Sequence, residues 1–423
     1  MTTTAIADAN SFYCSVEQVF RPDLAGKPIL VVGNNDSCVV SRSAAAKSLI
    51  PMGVSIFEDA HRRAIRDHHI AVFSSNYSLY NDFSNRIHAV MDRYSPRTEK
   101  FSIDESFLDL SAISPGERIA VMREMRRAIL QETGVPVSIG LAATKVRSKL
   151  AADYAKRMPD GVRAFDNEQE LERILAMTPC SAIWYIGEAR ARQLRAHFDI
   201  YNGLQLMRAD LVQIRRVLHV PVARIVCELR GIPALPLRTT APPRKEIMCA
   251  RAFGRLVTDL HELQQAVASY TAAAGRRLNA HRQVCSTLSI SLMTNSFRQD
   301  LPQYHASCLV PLMRATNHVP EMIAAARQAV EQMYHPGISY YRAGVLLSDL
   351  ASEEVVQGNL FAGDPDVKQQ QLMAVIRAIE ARFGRGAIYI AATGGPSPRW
   401  GMRQEMMSPR YVTRWSDLPV ARA

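Results

Sequence analysis

Asp8 stands inside an apolar stretch, residues 5–12, and the pair Asp104-Glu105 stands inside FSIDESFLDL (101–110), which is apolar at both ends. An acid embedded in a strand-like apolar run is costly unless it is paired, hydrogen-bonded or bound to a cation. Three carboxylates brought together by two strands of one sheet would make an oxygen-rich site suited to Mg²⁺. Two such ions, about 3.5–4 Å apart, stabilise the attacking and leaving oxygens in phosphoryl or nucleotidyl transfer. Strand geometry sets a condition on this reading. Neighbouring side chains point to opposite faces, so Asp104 and Glu105 reach one site only at a strand end, a turn or a bulge. The competing reading is a turn with solvent-exposed acids.

The elements that must position these acids can be read from periodicity. An N-terminal strand carries Asp8. Residues 27–33 (KPILVVG) form a second strand-like run, followed by the turn cluster Asn34-Asn35-Asp36-Ser37 and another strand at Cys38-Val39-Val40. Residues 43–49 read as a short helix ended by Pro51-Met52-Gly53. Tyr80, Phe83, Ile87, Val90 and Met91 have helical spacing. Residues 116–133 are helical, 135–142 (VPVSIGLA) a buried-type strand, and 144–158 a basic amphipathic helix with Lys145, Arg147, Lys149, Lys156 and Arg157. This order predicts an α+β domain with one mixed sheet and helices on one face.

The character of the chain shifts near Phe165. Residues 166–231 read as short helices joined at Pro179, Gly187, Gly203 and Pro221, and residues 233–244 (PALPLRTTAPPR) as a Pro-rich linker. Residues 245–349 alternate strands and helices, which predicts a second α+β domain. Beyond Ser352 the pattern weakens into a tail, and no internal repeat is present.

Composition bounds the function. The 423 residues are 48% apolar and 22% charged, which excludes disorder as the dominant state. No uncharged apolar run approaches the roughly 18–20 residues that cross a bilayer. The N-terminus carries an early acid and no basic segment, so a secretory signal is not expected and the reading is cytoplasmic. Seven cysteines, an odd number without C-x-x-C spacing, read as reduced thiols. The net charge of +11 points to a polyanionic partner, of which nucleic acid is the commonest. Residues 143–230 hold 15 Lys and Arg against 10 Asp and Glu (+5), and residues 240–349 hold 11 against 7 (+4), so both regions could face phosphate.

The segments DANSFYCSVE (8–17) and SIDESFLD (102–109) resemble the two metal-site motifs of Y-family translesion DNA polymerases. Asn76-Tyr77, Tyr80 and Ser84, the helix ending Asp153-Tyr154-Ala155-Lys156, and Trp184-Tyr185-Ile186-Gly187 fall in that family's order. Within it, residues 19–42, 73–80, 245–254 and 407–418 resemble the UmuC-type catalytic subunits of bacterial DNA polymerase V. The resemblance runs from about residue 5 to residue 418.

It implies an α+β multidomain, right-hand polymerase. The palm would be 1–20 and 75–165, the fingers 21–74, and a small helical thumb 166–232 with a helix-hairpin-helix-like turn. A linker at 233–244, an α+β little finger at 245–350 and a tail at 351–423 would follow. Asp8 and Asp104 would bridge two Mg²⁺ ions, Glu105 would hold the one nearest the primer 3′-OH, and the Ala9 carbonyl would complete a ligand set. Tyr13 would be the steric gate against a ribose 2′-OH. Arg42, Lys156 and Phe12 would contact the incoming nucleotide. Ile186 and Gly187 would present backbone N–H groups to a DNA phosphate. Gln357, Leu360 and Phe361 resemble the short motif that docks on the sliding clamp.

The implied function is error-prone synthesis past lesions in the SOS response, with primer-template DNA, dNTPs, a UmuD′-type dimer, RecA and the clamp as partners. The protein would be cytoplasmic, nucleoid-associated during DNA damage, and have no membrane partner. Two other classes share parts of the pattern: a DNA-binding accessory factor inactive without partner subunits, and a metal-dependent nuclease. The chain departs from the family at Tyr185 and Ser37, where glycines are usual, and at Ile50-Pro51.

Overall fold

The computed structural model describes residues 3–240, 242–354, 367–384, 386–395 and 398–420. The chain divides into two compact units: Met1–Gly33, Ser37–Ala241 and Met406–Ala423 form the first, and Asn34–Asp36 with Pro242–Glu405 the second.

The first unit runs β1 (Thr4–Ala9), α1 (Phe12–Val19), β2 (Ile29–Val32), β3 (Val39–Arg42), α2 (Asp59–Asp67), β4 (Ala71–Ser74), α3 (Tyr77–Met91), β5 (Thr98–Lys100) and β6 (Glu105–Asp109). It continues with α4 (Arg118–Thr133), β7 (Val137–Ala142), α5 (Lys145–Ala155), β8 (Val162–Ala164), α6 (Glu168–Met177), α7 (Glu188–Phe198), α8 (Gly203–Arg208) and α9 (Leu211–Leu229). A mixed five-stranded sheet is ordered β5-β6-β1-β7-β8. Along β1 the side chains alternate between its two faces. Ala5, Ala7 and Ala9 join a core with Phe12, Val16, Leu79, Phe83, Met122 and Ile129 from α1, α3 and α4. Ile6 and Phe107 pack on the opposite face with Ala152 of α5. Helices therefore cover both faces, where the sequence suggested one, because hydrophobic spacing reports that a helix buries a stripe but not which side of a sheet receives it.

A smaller sheet, β3-β2-β4, has its own apolar cluster built on Leu30, Val32, Val39, Ile50 and Ile70. The short helix expected at 43–49 is only a 3₁₀ turn at Ala44–Ala46. Helices α6 to α9 close around Leu175, Leu194, Leu206, Ile214 and Val226. The expected linker is only partly free. Glu228, fully buried, accepts from the N–H groups of Ala234 and Leu235 at 2.7 and 2.8 Å, and Lys145 donates to the Pro236 carbonyl at 3.0 Å.

The second unit holds β9 (Ile247–Val257), α10 (Leu260–Ala280), β10 (Gln283–Met293), β11 (His305–Thr316), α11 (Val319–Met333), β12 (Tyr340–Ser352) and α12 (Val367–Phe383). Its antiparallel sheet, β11-β10-β12-β9, is backed by α10 and α11. Met373 of α12 and Trp400 join that core, so this part of the tail is folded.

Candidate active site

In the antiparallel pairing of β1 with β6, Asp8 lies directly opposite Glu105, and residues so opposed project to one face. β6 begins at Glu105, so Asp104 occupies the bend before it. The adjacent acids thus sit at a strand end, the condition that their alternating directions impose. The Ala9 N–H donates to the Asp104 carbonyl at 2.9 Å and fastens this bend to the end of β1. Ser102 Oγ donates to Asp104 Oδ1 at 2.6 Å.

The face bearing Asp8 and Glu105 is covered by α5, whose approach depends on Gly140 of β7. A Cβ at that glycine would lie 2.1 Å from Ala152 N and from Ser148 O. Lys149, Asp153 and Lys156 follow one another at spacings of four and three residues, along one face of α5. The Lys149 ammonium binds the Asp8 carboxylate and, at 2.5 Å, Glu105 Oε1. Lys156 reaches Asp8 at 3.1 Å and Asp153 at 3.0 Å.

Burial alone would raise the Asp8 pKa, but the charges of Lys149 and Lys156 outweigh it and hold the carboxyl below its ordinary value. At Glu105 burial prevails over the attraction of Lys149, with Asp8 and Asp104 adding repulsion, and the pKa is raised. The shared ammonium favours the charged form of both acids, but the net shifts are opposite, and Asp8, with two lysines, is the firmer anion. Burial would depress Lys149, yet Asp8 and Glu105 carry its pKa upward, so it is a cation at neutral pH.

The Lys149 ammonium stands in for a cation between two carboxylates, which shows the charge this site accepts. The oxygens of Asp8, Asp104 and Glu105 with the Ala9 carbonyl are the hard donors that Mg²⁺ takes, so the residues fit that ion. Among the described residues no three acidic, His or Cys groups already converge as a metal cluster. Asp104 is engaged with Ser102 instead.

Ser11 turns the chain from β1 into α1 with a left-handed backbone (φ 47°). Tyr13 follows, half-buried, its ring stacked on Tyr80 at 4.4 Å and 17° and edge-on to Tyr77 at 6.2 Å. Burial, then the charges of Tyr77 and Asp104, raise the pKa of its phenol. The neighbouring Phe12 is 3% exposed and belongs to the core, so its ring is not open to a nucleotide. Arg42 donates through Nη1 to the carbonyls of Ile50 at 2.8 Å and Lys47 at 3.3 Å.

Gly187 is the N-cap of α7, and a Cβ there would meet open space. Ile186 is buried. Tyr185 adopts φ 69°, the left-handed region that favours glycine, which gives a conformational reason for the glycine usual at this position. Lys149, Asp153, Trp184, Tyr185, Gly187 and Arg190 border one cavity of about 400 Å³. Gln357, Leu360 and Phe361 lie outside the described residues.

Sequence reasoning counted Lys149 among the charges of a basic helix and missed its central place. The available signal was Lys149, Asp153 and Lys156 on one helical stripe. The same helix corrects another expectation. Lys145 and Arg147 are buried and paired with Glu99 and Glu168, so they are structural cations that do not face phosphate.

Residues 7–153 match the impB/mucB/samB family and residues 244–360 match its C-terminal domain. The chain belongs to the impB/mucB/samB family. A further match, residues 370–421, is to a domain of unknown function, DUF4113. Within this family the chain is 40% identical over 420 residues to Protein UmuC of Salmonella typhimurium, covering 98% of this chain and 99% of that one. It is 34% identical over 421 residues to Protein MucB of Escherichia coli, covering 99% of each. DNA polymerase IV of Akkermansia muciniphila is 30% identical over 260 residues, 61% of this chain and 70% of that protein. Among solved structures, a Y-family DNA polymerase chimera superposes with a TM-score of 0.66 at 19% identity, covering 82% of this chain and 99% of that one. The impB/mucB/samB chain thus has the right-hand polymerase fold of palm, fingers, thumb and little finger.

Proposed function

We propose that this DNA polymerase is the catalytic subunit of a mutagenic translesion complex of the SOS response, adding nucleotides opposite and past DNA lesions. The observation that carries the reading is the opposed pair Asp8 and Glu105, with Asp104 in the adjoining bend, a few residues of chain from the half-buried Tyr13. Asp8, Asp104, Glu105 and the Ala9 carbonyl would hold two Mg²⁺ ions, which supply activation of the primer 3′-OH and charge neutralisation on the departing pyrophosphate.

The chain's own residues do the rest. Lys156, at the C-terminal end of α5, offers an ammonium beside Asp8 for the triphosphate charge. The Tyr13 ring, held flat against Tyr80, blocks the place where a ribose 2′-OH would project. The backbone of Phe12 lies next to that gate. Gly187, at the N-terminus of α7, presents its N–H to a DNA phosphate without reading sequence, while Ile186, whose N–H is donated to the Ile183 carbonyl at 2.8 Å, holds the turn. Arg42 orders the loop through Ile50 behind the nucleotide, a supporting role that its two carbonyl bonds favour. A UmuD′-type dimer, RecA and the sliding clamp, through Gln357, Leu360 and Phe361, complete the proposed assembly, which acts in the cytoplasm on the nucleoid. No helix among the described residues is long and apolar enough to cross a membrane.

The test is primer extension across an abasic site with dNTPs, Mg²⁺, a UmuD′-type dimer and RecA. The full chain should lengthen the primer past the lesion. Asp104→Ala and Glu105→Ala should each lower the rate by more than about 100-fold. Primers that shorten would show a nuclease, primers left unextended by the full chain would leave an accessory role, and variants that extend as well as the parent would overturn the assignment of these carboxylates.

A further inference from the structure

The matched domain of unknown function ends in a strap, residues 406–412, that belongs to the first unit. The strap covers the outer edge of β4: Ser74 N donates to the Met406 carbonyl at 3.0 Å, and Met406 N donates to Ser74 Oγ at 2.9 Å. It then sends Ser408, 4% exposed, into the core between α1 and α3. Ser408 Oγ donates to Glu17 Oε1 at 3.1 Å and accepts from Asn76 Nδ2 at 3.1 Å. Glu17 Oε1 also accepts from the Tyr80 hydroxyl at 2.7 Å. Tyr80 is the residue on whose ring Tyr13 is stacked. Further along, Tyr411 stacks on Phe20, at the end of α1, at 4.1 Å and 9°.

The strap therefore holds α1, the helix that carries Tyr13, at two places. Glu17 is 1% exposed, makes no ion pair among the described residues, and its Oε2 has no hydrogen-bond partner there. A buried carboxyl served only by hydroxyl groups contributes little net stability. What it contributes is direction, since each hydrogen bond fixes an orientation that an apolar contact leaves free.

We propose that this C-terminal strap sets sugar selection, by fixing the Tyr13 ring through Ser408, Glu17 and Tyr80. The inference rests on Tyr13 being the steric gate. Ser408, Glu17 and Tyr80 are positioning residues in it. With the strap in place the Tyr80 ring is fixed in plane and Tyr13 stands at one height over the sugar. With the Ser408 bond removed, the Tyr80 hydroxyl and its carboxyl partner shift together and the gate opens to a 2′-OH.

The experiment compares the ratio of kcat/KM for a dNTP to that for the matching rNTP in the full chain with its partner subunits. Tyr13→Ala, Ser408→Ala, Tyr411→Leu, Glu17→Leu and Glu17→Gln are measured beside Leu206→Ala, which opens a cavity in the helical cluster away from the gate. Tyr13→Ala should abolish most of the discrimination. Ser408→Ala should lower the ratio about three- to tenfold, the effect of losing one oriented hydrogen bond, and Glu17→Leu, which removes the acceptor of both the Ser408 and the Tyr80 hydroxyl, should lower it at least as far. Glu17→Gln, which keeps the acceptor oxygen, should restore the ratio close to that of the parent. Leu206→Ala should lower Tm and leave the ratio alone. Tyr411→Leu loosens the strap from outside the buried chain, and keeps the test open should Ser408→Ala fold poorly. Strap variants that lower Tm as Leu206→Ala does, with an unchanged ratio, would overturn the inference while leaving the gate intact. An unchanged ratio in Tyr13→Ala would overturn both.

Discussion

Asp8 faces Glu105 directly across the β1–β6 ladder, so a buried and a partly buried carboxylate share one face of the sheet. Like charges so opposed destabilise a sheet, and here the Lys149 ammonium bridges them. The polymerase therefore carries its own counter-ion where the proposed reaction would call for divalent metal. Removing one partner of a buried ion cluster costs about 3–5 kcal/mol, because it leaves charge uncompensated. Lys149→Met should lower the stability of the metal-free protein by about that amount, measured by urea unfolding in EDTA. Added Mg²⁺ should recover more stability in the variant than in the parent, since only the variant lacks the cation. Equal responses to Mg²⁺ would show that the ammonium and the metal do not share a site.

The α7 N-terminus allows a clean separation of folding from DNA binding. Gly187 has an ordinary extended backbone and space around it, so a side chain there is tolerated by the fold. Gly187→Val should leave Tm within a degree or two, yet obstruct a phosphate approaching the N–H groups of α7. The expected result is an affinity for primer-template DNA lower by about tenfold, with the slope of log K against log salt unchanged, since a neutral N–H releases no counterion. Fluorescence anisotropy over a salt series measures both.

His88 gives the fold a dependence on pH that is independent of the metal-site carboxylates. Burial first, and then the charge of Lys100, pull its pKa from 6.5 down to about 4. Below pH 6.5 the unfolded chain takes up a proton that the folded chain refuses, so stability falls as pH drops toward 4 and is level above 6.5. Chemical unfolding at pH 7 and pH 5 should show the protein weaker at pH 5, and His88→Gln should shrink that difference. An unchanged difference in the variant would move the effect to other groups.

The carboxylates were legible because acids inside apolar runs are costly, and their adjacency demanded the strand end at which β6 begins. The role of α5 was not legible. Charge counts treat Lys145, Arg147 and Lys149 alike, whereas the fold buries the first two against Glu99 and Glu168 and sets the third between Asp8 and Glu105. The strap was equally hidden, since Ser408 meets Glu17 across 391 residues of chain, and no local periodicity encodes such a pair. Tyr185 lies between these cases: its departure from glycine was visible, but the left-handed backbone that explains the glycine was not.

Gly140 makes the tightest claim on the site. It lies on β7, where α5 comes so close that a Cβ would stand 2.1 Å from Ala152 N and Ser148 O and 2.8 Å from Ala151 C. All three are backbone atoms of α5, so no side chain can yield, and the helix itself must move by an ångström or more. α5 carries Lys149 and Lys156, whose ammonium groups meet Asp8 at hydrogen-bonding distance. Gly140→Ala should therefore cost about 1–3 kcal/mol through overpacking, and lower primer extension out of proportion to that loss, since a displacement of about 1 Å at an active site can cost about 100-fold. Measuring kcat well below the variant's Tm separates the two effects. A variant with lowered Tm and full kcat would show that α5 can shift without disturbing the Asp8 face.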